Sequence, residues 1–529
     1  MLKKNCSYSW AYLWFLFLIF TLKIQSTLTF VLHPSFQSSG IRPFTQLFGE
    51  ALDEKSDEKP DELKQYFATC IPGLAPILSE ELINLGASNV EMSGPSGVSF
   101  QNDPKSSIDI GMKALLWVRT AHRIMELIVS TEDYDDWDIM DRDGLYGFIQ
   151  SAVPVKSLLG DGKGGLLTLS CSTTLNGKIP KELCHSHYTG LTVKNALVDM
   201  VREIRDDGVR PDVDIVDPDV PLLLVLRGNR DRGRDDGAQA SLYRILHSGG
   251  SLHKRGYRVP TVHKAAMKES LAAGLLLEAG FDKLIHDSKY TTGLPAVLVD
   301  PMAGSGTFCI EAALIAADFA PGLVRMKHYD GESERNPHKI PPVLRWRGAD
   351  KMQWKEEVLA ARERAAVGIK WMNELNSLDP SRCNCVIVAN EMNRNAASLA
   401  RGNIAKAGFS ESIGLTEGDC VNWDLGGMQD SDSTKRVVVP QRTIVVSNPP
   451  WGLRLDEDIE SSWLSLKSFL REQCNVTEAW ILSGSKSATR YLRMKKSRSV
   501  VIKTADEDLR WIQYHVFKKK PQEKELIGL

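Results

Sequence analysis

Beyond about residue 265, short apolar runs alternate with amphipathic stretches, and that alternation restricts the back half of the chain to a parallel sheet covered by helices on both faces. Segments 296–299, 384–389, 413–416 and 443–446 read as its buried strands, and 268–277, 306–317 and 394–407 as helices. A long Trp- and Arg-containing insertion, 323–380, separates the first strand region from the second. Open α/β sheets bind ligands beyond the carboxyl ends of their strands. The residues at those ends are therefore the candidate site.

The first strand runs into Asp300, Pro301, Gly304, Ser305, Gly306 and Thr307. Glycines at a strand-to-helix turn let the backbone approach a ligand, and the helix start offers free N–H groups. A dinucleotide turn is one reading. Against it, no third glycine stands at fingerprint spacing, and the next acidic strand end, Glu391, comes 91 residues after Asp300 where roughly 20 is usual. Asp300 suits a positively charged amino-acid moiety, since a carboxylate beside a pyrophosphate would repel it. Glu391 can accept from both hydroxyls of a ribose; its other reading is a helix N-terminal acid favoured by the macrodipole. Asp419, after the third strand, suits an adenine amino group.

The fourth strand delivers the chain into Asn448, Pro449, Pro450, Trp451 and Gly452. The amine of a purine base is a poor nucleophile because its lone pair is delocalised into the ring. Accepting its two N–H bonds at Asn448 Oδ1 and the Pro449 carbonyl would localise that pair toward an incoming methyl group. Trp451 offers a face on which an extruded base could stack.

The front half reads differently, as two successive α+β patterns. Segment 66–71 is a strand candidate, 74–85 a helix closed by Gly86, and 90–100 a hairpin pair. In the second pattern, 166–171 and 222–227 are strands and 189–205 is a helix carrying Lys194. With 43% apolar and 25% charged residues over 529 positions, the chain is globular. A formal charge of −2 excludes a polybasic tail binder, so any nucleic-acid contact rests on local clusters: 227–234, 253–258 and 490–503. The nine cysteines form neither a disulfide ladder nor a zinc spacing, and no metal is expected.

Residues 1–49 contain no Asp or Glu, and 50–64 is dense in both. Lys3 and Lys4 before the apolar stretch 11–22 form a signal-like segment, too short for an ordinary bilayer span. The Ser/Thr-containing stretch behind it is transit-like. Together they resemble a bipartite plastid presequence; mitochondrial delivery and membrane anchoring by 11–22 are the alternatives.

Several strings, Leu-Thr-Val-Lys-Asn-Ala-Leu-Val-Asp at 191–199, Arg-Pro-Asp-Val-Asp at 210–214, Leu-His-Lys-Arg-Gly-Tyr-Arg at 252–258, the 300–307 turn and Ser-Asn-Pro-Pro-Trp-Gly at 447–452, resemble the THUMP-domain class I RNA methyltransferases. The similarity is greatest to the branch that methylates guanine N2 in bacterial large-subunit ribosomal RNA. Composition sets the presequence at 1–49 and the acidic linker at 50–64; the resemblance implies a ferredoxin-like domain at 65–130, a THUMP domain at 131–250 and an α/β Rossmann-like methyltransferase domain at 251–529. It implies S-adenosylmethionine bound by Asp300, Pro301, Gly304, Ser305, Gly306, Thr307, Glu391 and Asp419, and the target base at Asn448, Pro449, Pro450 and Trp451. Structured RNA would be the partner, with Lys194, His253, Lys254, Arg255 and Arg258 as contacts and no stable membrane association after processing. Guanosine methylation in tRNA, and a non-catalytic role in ribosome assembly, stay open. Trp451 stands where these bacterial relatives usually have Tyr, Glu391 where they often have Asp, and Ala303 where they often have Cys.

Overall fold

The computed structural model describes residues 63–517 apart from 107, 135–136, 229–236, 249, 261–265, 330–340, 377–378, 424, 426–441, 452–458, 475 and 505–507. The presequence, most of the acidic linker, Gly452 and the basic run 229–234 lie outside the described residues.

Seven strands of the front half form one sheet: β1 (Gln65–Thr69), β2 (Ser88–Met92), β3 (Gly97–Gln101), β4 (Arg123–Ser130), β5 (Leu169–Asn176), β6 (Val220–Gly228) and β7 (Ala238–Ile245), in the order β2-β3-β1-β4-β7-β6-β5. The expected boundary at 130/131 thus falls inside a continuous sheet. The link is β4, which pairs antiparallel with β1 along one edge and with β7 along the other. Helix Ala75–Leu85 covers this sheet with Ile77, Leu78 and Leu82, and ends at Gly86 in the left-handed conformation at φ 94°. Helix Ser186–Ile204 packs on β5 through Val193, Ala196, Leu197 and Val201.

The back sheet contains β8 (Ala296–Asp300), β11 (Cys385–Glu391), β12 (Ile413–Glu417), β13 (Thr443–Ser447), β14 (Glu478–Ser483), β15 (Lys495–Lys503) and β16 (Asp508–His515), with a separate short ladder of β9 (Leu375–Asn376) and β10 (Asp379–Cys383). The order is β12-β11-β8-β13-β14-β16-β15; β12, β11, β8, β13 and β14 are parallel, and β16 lies antiparallel between β14 and β15. Strand order reverses between β8 and β13, which makes the ends of those two strands the switch point where a ligand crevice opens. All five residues of β8 are buried, as a central parallel strand requires.

The basic run at 490–503 belongs largely to β15, an edge strand whose Lys495, Lys496, Arg498 and Lys503 are exposed. Charged side chains on an open edge discourage pairing with another chain, which explains this cluster without a nucleic acid. The insertion between β8 and β11 contains the helices Pro321–Tyr329 and Lys351–Asn373 and a 3-10 turn, Pro342–Arg345. Arg345 from that turn pairs with Asp217 at 2.8 Å and Asp219 at 3.2 Å. The Trp346 indole N–H donates to the Asp219 carbonyl at 2.7 Å, and the Arg244 guanidinium lies 4.0 Å from a Trp346 ring centroid. These contacts tie the insertion of the back half to the front sheet.

Candidate active site

A cleft of about 480 Å³ opens at the switch point, lined by Asp300, Gly304, Glu391, Asp419, Asn448 and Trp451 among others. Residues as far apart in the chain as 300 and 451 meet there because parallel strands all end on one edge of the sheet. Asp300 is the last residue of β8 and only 1% exposed. Its Oδ1 accepts from the Met302 N–H at 3.2 Å. Burial first, with a smaller contribution from the Glu391 carboxylate, pushes the Asp300 acid up to about 8. Such a group stays protonated at neutral pH until a cation arrives beside it.

Glu391 is fixed by two backbone donors, the Gly304 N–H to Oε2 at 2.7 Å and the Asn393 N–H to Oε1 at 2.7 Å. The two bonds hold this carboxylate in the lining of the cleft. Gly304 and Gly306 have φ of 56° and 78°, where an L side chain is strained, and a Cβ at Gly304 would enter open space. Pro301, Ser305 and Thr307 lie on the same turn, and each borders the cleft. Asp419 caps the short turn Cys420–Asn422 by accepting from the Val421 N–H, and its other oxygen accepts from Ser465 Oγ at 3.4 Å.

Asn390 escaped sequence reasoning. Its amide, 2% exposed, donates to the Gly418 carbonyl at 2.8 Å and the Pro301 carbonyl at 3.4 Å, and accepts from Thr416 Oγ1 at 3.0 Å. One side chain thereby ties the ends of three strands together. The available signal was a polar residue inside an otherwise apolar strand, Val-Ile-Val-Ala-Asn at 386–390. Asn403 acts similarly from helix Arg394–Ala407, accepting from the Val259 N–H at 2.9 Å and donating to the Ser305 carbonyl at 3.0 Å.

At the β13 end, the Trp463 indole, itself fully buried, donates to the Pro450 carbonyl at 2.7 Å. The Pro449 carbonyl has no such partner among the described residues. The Trp451 indole N–H donates to Asn448 Oδ1 at 3.2 Å, which fixes which end of the amide carries the oxygen. One lone pair of Oδ1 remains. The Trp451 ring also packs against Gly484, where an added Cβ would lie 2.9 Å from Cε3 and Cζ3. Trp451, expected to serve as a stacking face, also orients Asn448.

The expected RNA contacts divide. Lys254 is exposed, and Lys194 and His253 are half-buried. Arg255 is not a surface contact: it is 0% exposed, 3.6 Å from Glu311, and donates to the carbonyls of Leu252 and Arg119. Arg258 is also committed internally, pairing with Glu269 at 2.8 Å and donating to the Met267 carbonyl beside the cleft. Buried cations persist only when paired and hydrogen-bonded, and both guanidiniums serve that structural role. A linear string of basic residues does not reveal which of them point inward.

Comparison with known families agrees with this architecture. Residues 255–512 match UPF0020, described as the RMKL-like methyltransferase domain, and residues 65–125 match the RlmL ferredoxin-like domain. Residues 255–512 are a UPF0020 methyltransferase domain. The chain is 33% identical over 404 residues to the ribosomal RNA large subunit methyltransferase K/L of Magnetococcus marinus, covering 76% of this chain and 46% of that one. It is 29% identical over 446 residues to the protein of the same name from Hydrogenovibrio crunogenus, covering 82% and 50%. The chain spans about half the length of the curated relatives it matches. Among solved structures, the fold is shared with SMU.472, a protein solved in complex with SAH, at TM-score 0.61 and 20% identity over 87% of this chain and all of that one. The UPF0020 domain has the fold of S-adenosylmethionine-dependent methyltransferases, and its cleft is the one built by Asp300, Glu391, Asp419 and Asn448.

Proposed function

We propose that this chain is an S-adenosylmethionine-dependent methyltransferase that methylates N2 of a guanosine in large-subunit ribosomal RNA. The observation that carries the reading is the convergence of three carboxylates and Asn448 on one cleft at the switch point. The residues fit the cofactor: Asp300 is a buried acid suited to an ammonium, Glu391 places a carboxylate in the cleft lining where ribose hydroxyls can be met, and Gly304 leaves room above its backbone. The cleft volume falls in the range of small-molecule sites, roughly 300–1,000 Å³. S-adenosylmethionine supplies an electrophilic methyl group when bound.

The chain's own residues do the rest. Asn448 Oδ1, held by the Trp451 N–H, accepts a hydrogen bond from one N–H of the guanine amine, and the Pro449 carbonyl accepts one from the other. Both bonds strengthen as positive charge develops on the amine nitrogen, so they favour the transition state over the ground state. Trp463 anchors the Pro450 carbonyl and keeps the turn in one conformation. Cleft walls of Met267, Phe308 and Leu399 exclude water from the reacting atoms.

Ribosomal RNA as substrate is supported by the names of the relatives and by the two-part organisation, with the front sheet, of which 131–250 is read as THUMP, holding structured RNA. Incubating the protein with deproteinised large-subunit ribosomal RNA or with tRNA, followed by nucleoside mass spectrometry, tests this. Formation of N2-methylguanosine in ribosomal RNA alone supports the reading; modification of tRNA alone overturns the substrate. The presequence reading places the protein in a plastid, and imaging residues 1–64 fused to a fluorescent protein checks that destination.

A further inference from the structure

Five basic side chains from three separate elements gather where the front sheet meets the UPF0020 domain. His122 and Arg123 come from the start of β4, His253 and Lys254 from the segment that follows the front sheet, and Lys268 from the N-cap of helix Glu269–Glu278. The joint is built, not incidental. The Leu252 N–H donates to the His122 carbonyl at 2.8 Å and Ser251 Oγ to the same carbonyl at 3.3 Å. The His122 and His253 rings lie 5.4 Å apart. His122 Nε2 shares a hydrogen bond with Ser270 Oγ at 3.1 Å, and His253 Nδ1 with Ser251 Oγ at 2.7 Å. The second nitrogen of each ring is left without a partner among the described residues.

Stability does not account for this charge. Arg123, Lys254 and Lys268 are exposed, and none forms an ion pair among the described residues. The nearby carboxylates are already committed, Glu269 to Arg258 and Glu311 to Arg255 and Tyr257. Lys268 sits at a helix N-terminus with no side-chain cap, where a cation opposes the macrodipole. Burial, and then neighbouring cations including Lys268, hold both histidines down to about 4. Each ring is therefore neutral at pH 7 and carries one N–H. The patch also adjoins the cleft directly, since Met267, next to Lys268, lines it.

We propose that Arg123, Lys254 and Lys268, set around the neutral His122 and His253 rings, bind backbone phosphates of the substrate RNA where it passes from the front sheet to the cleft. This rests on the reading of RNA as substrate. The patch sets the path and register of the strand, while Asn448 selects the base; phosphate contacts position and base contacts specify. Neighbouring phosphates would supply the counter-charge that the protein itself withholds.

The test measures the affinity of the full chain for deproteinised large-subunit ribosomal RNA across a range of salt concentrations. Each phosphate contact contributes a slope of about −0.7 to −0.9 to log K against log salt. The triple variant Arg123→Ala, Lys254→Ala, Lys268→Ala is expected to flatten that slope by about 2 to 3, while S-adenosylmethionine affinity measured by calorimetry is retained. Lys351→Ala, an exposed lysine on the insertion helix, is expected to leave the slope as it was. RNA binding with an unchanged slope in the triple variant overturns the patch alone. Absence of salt-dependent RNA binding by the unaltered protein overturns the patch and the substrate reading together.

Discussion

With the ammonium of S-adenosylmethionine bound against Asp300, as proposed, binding is expected to release a proton. The Asp300 carboxyl stands at about 8 in the unliganded cleft because it is buried with one backbone donor, so about nine-tenths of it is protonated at pH 7. A ligand ammonium placed against it favours the ionised form and drives that proton off. Affinity for S-adenosylmethionine is therefore expected to rise about tenfold per pH unit between 6 and 7 and to level off above about 8. Calorimetry at pH 7 in buffers of different ionisation enthalpy is expected to show release of about 0.9 proton. In Asp300→Asn the release disappears, and binding weakens by about 1.5–3 kcal/mol, the worth of a hydrogen bond to a charged group. The same shift acts on the unliganded fold. A raised acid supports folding fully below the unfolded value of 3.8 and loses that contribution as pH climbs through about 8. Four units at 1.36 kcal/mol each set an upper limit of roughly 5 kcal/mol, less whatever water entering the cleft recovers. Asp300→Asn should therefore melt higher than the parent at pH 8, with the gap closing toward pH 5. Binding that is flat from pH 6 to 8 and independent of buffer would refute the reasoning.

Further perturbations probe the other end of the cleft and the fold beneath it. Trp451→Phe keeps an aromatic face but removes the N–H that orients Asn448; a fall in kcat of about tenfold, the equivalent of 1.4 kcal/mol, with KM for RNA little changed, is the expected split. Gly484→Ala pushes a methyl to within 2.9 Å of the Trp451 ring, so steady-state kinetics should show the same kcat loss without any change at Asn448 itself. Arg255→Met strands Glu311 as an uncompensated buried acid, and denaturant unfolding is expected to show a loss of about 3–5 kcal/mol. The double variant with Glu311→Gln should recover part of it, and full additivity of the two changes would contradict a direct pair.

Periodicity made the parallel core legible, because β8, β11 and β13 are apolar runs and β8 and β11 each lead into a helix. Their functional ends were legible too, since an acid after an apolar run is conspicuous at Asp300 and Glu391. Strands β14 to β16 were not read. Strand β15 carries the charges of an exposed edge, so its composition resembles a basic surface cluster more than a strand. The continuity of the front sheet through β4 and β7 was also hidden, because pairing between residues more than a hundred positions apart leaves no local pattern. Arg255 and Arg258 show the same limit in side chains. Adjacent basic residues look alike in a string, and only the partners supplied by Glu311 and Glu269 decide which are internal. The bonds of Asn390 to Pro301 and Gly418 belong to tertiary contact rather than to spacing.

The central claim, that the Asn448 turn directs a methyl group to N2 of a guanosine in large-subunit ribosomal RNA, is tested most directly by one mass-spectrometric measurement. Purified protein, methyl-labelled S-adenosylmethionine and unmodified large-subunit ribosomal RNA are combined, and the labelled nucleoside is identified and mapped. The account predicts label in N2-methylguanosine at a defined position, lost in Asn448→Ala while that variant still binds S-adenosylmethionine. Label on another atom or another base, or undiminished label in Asn448→Ala, would contradict it.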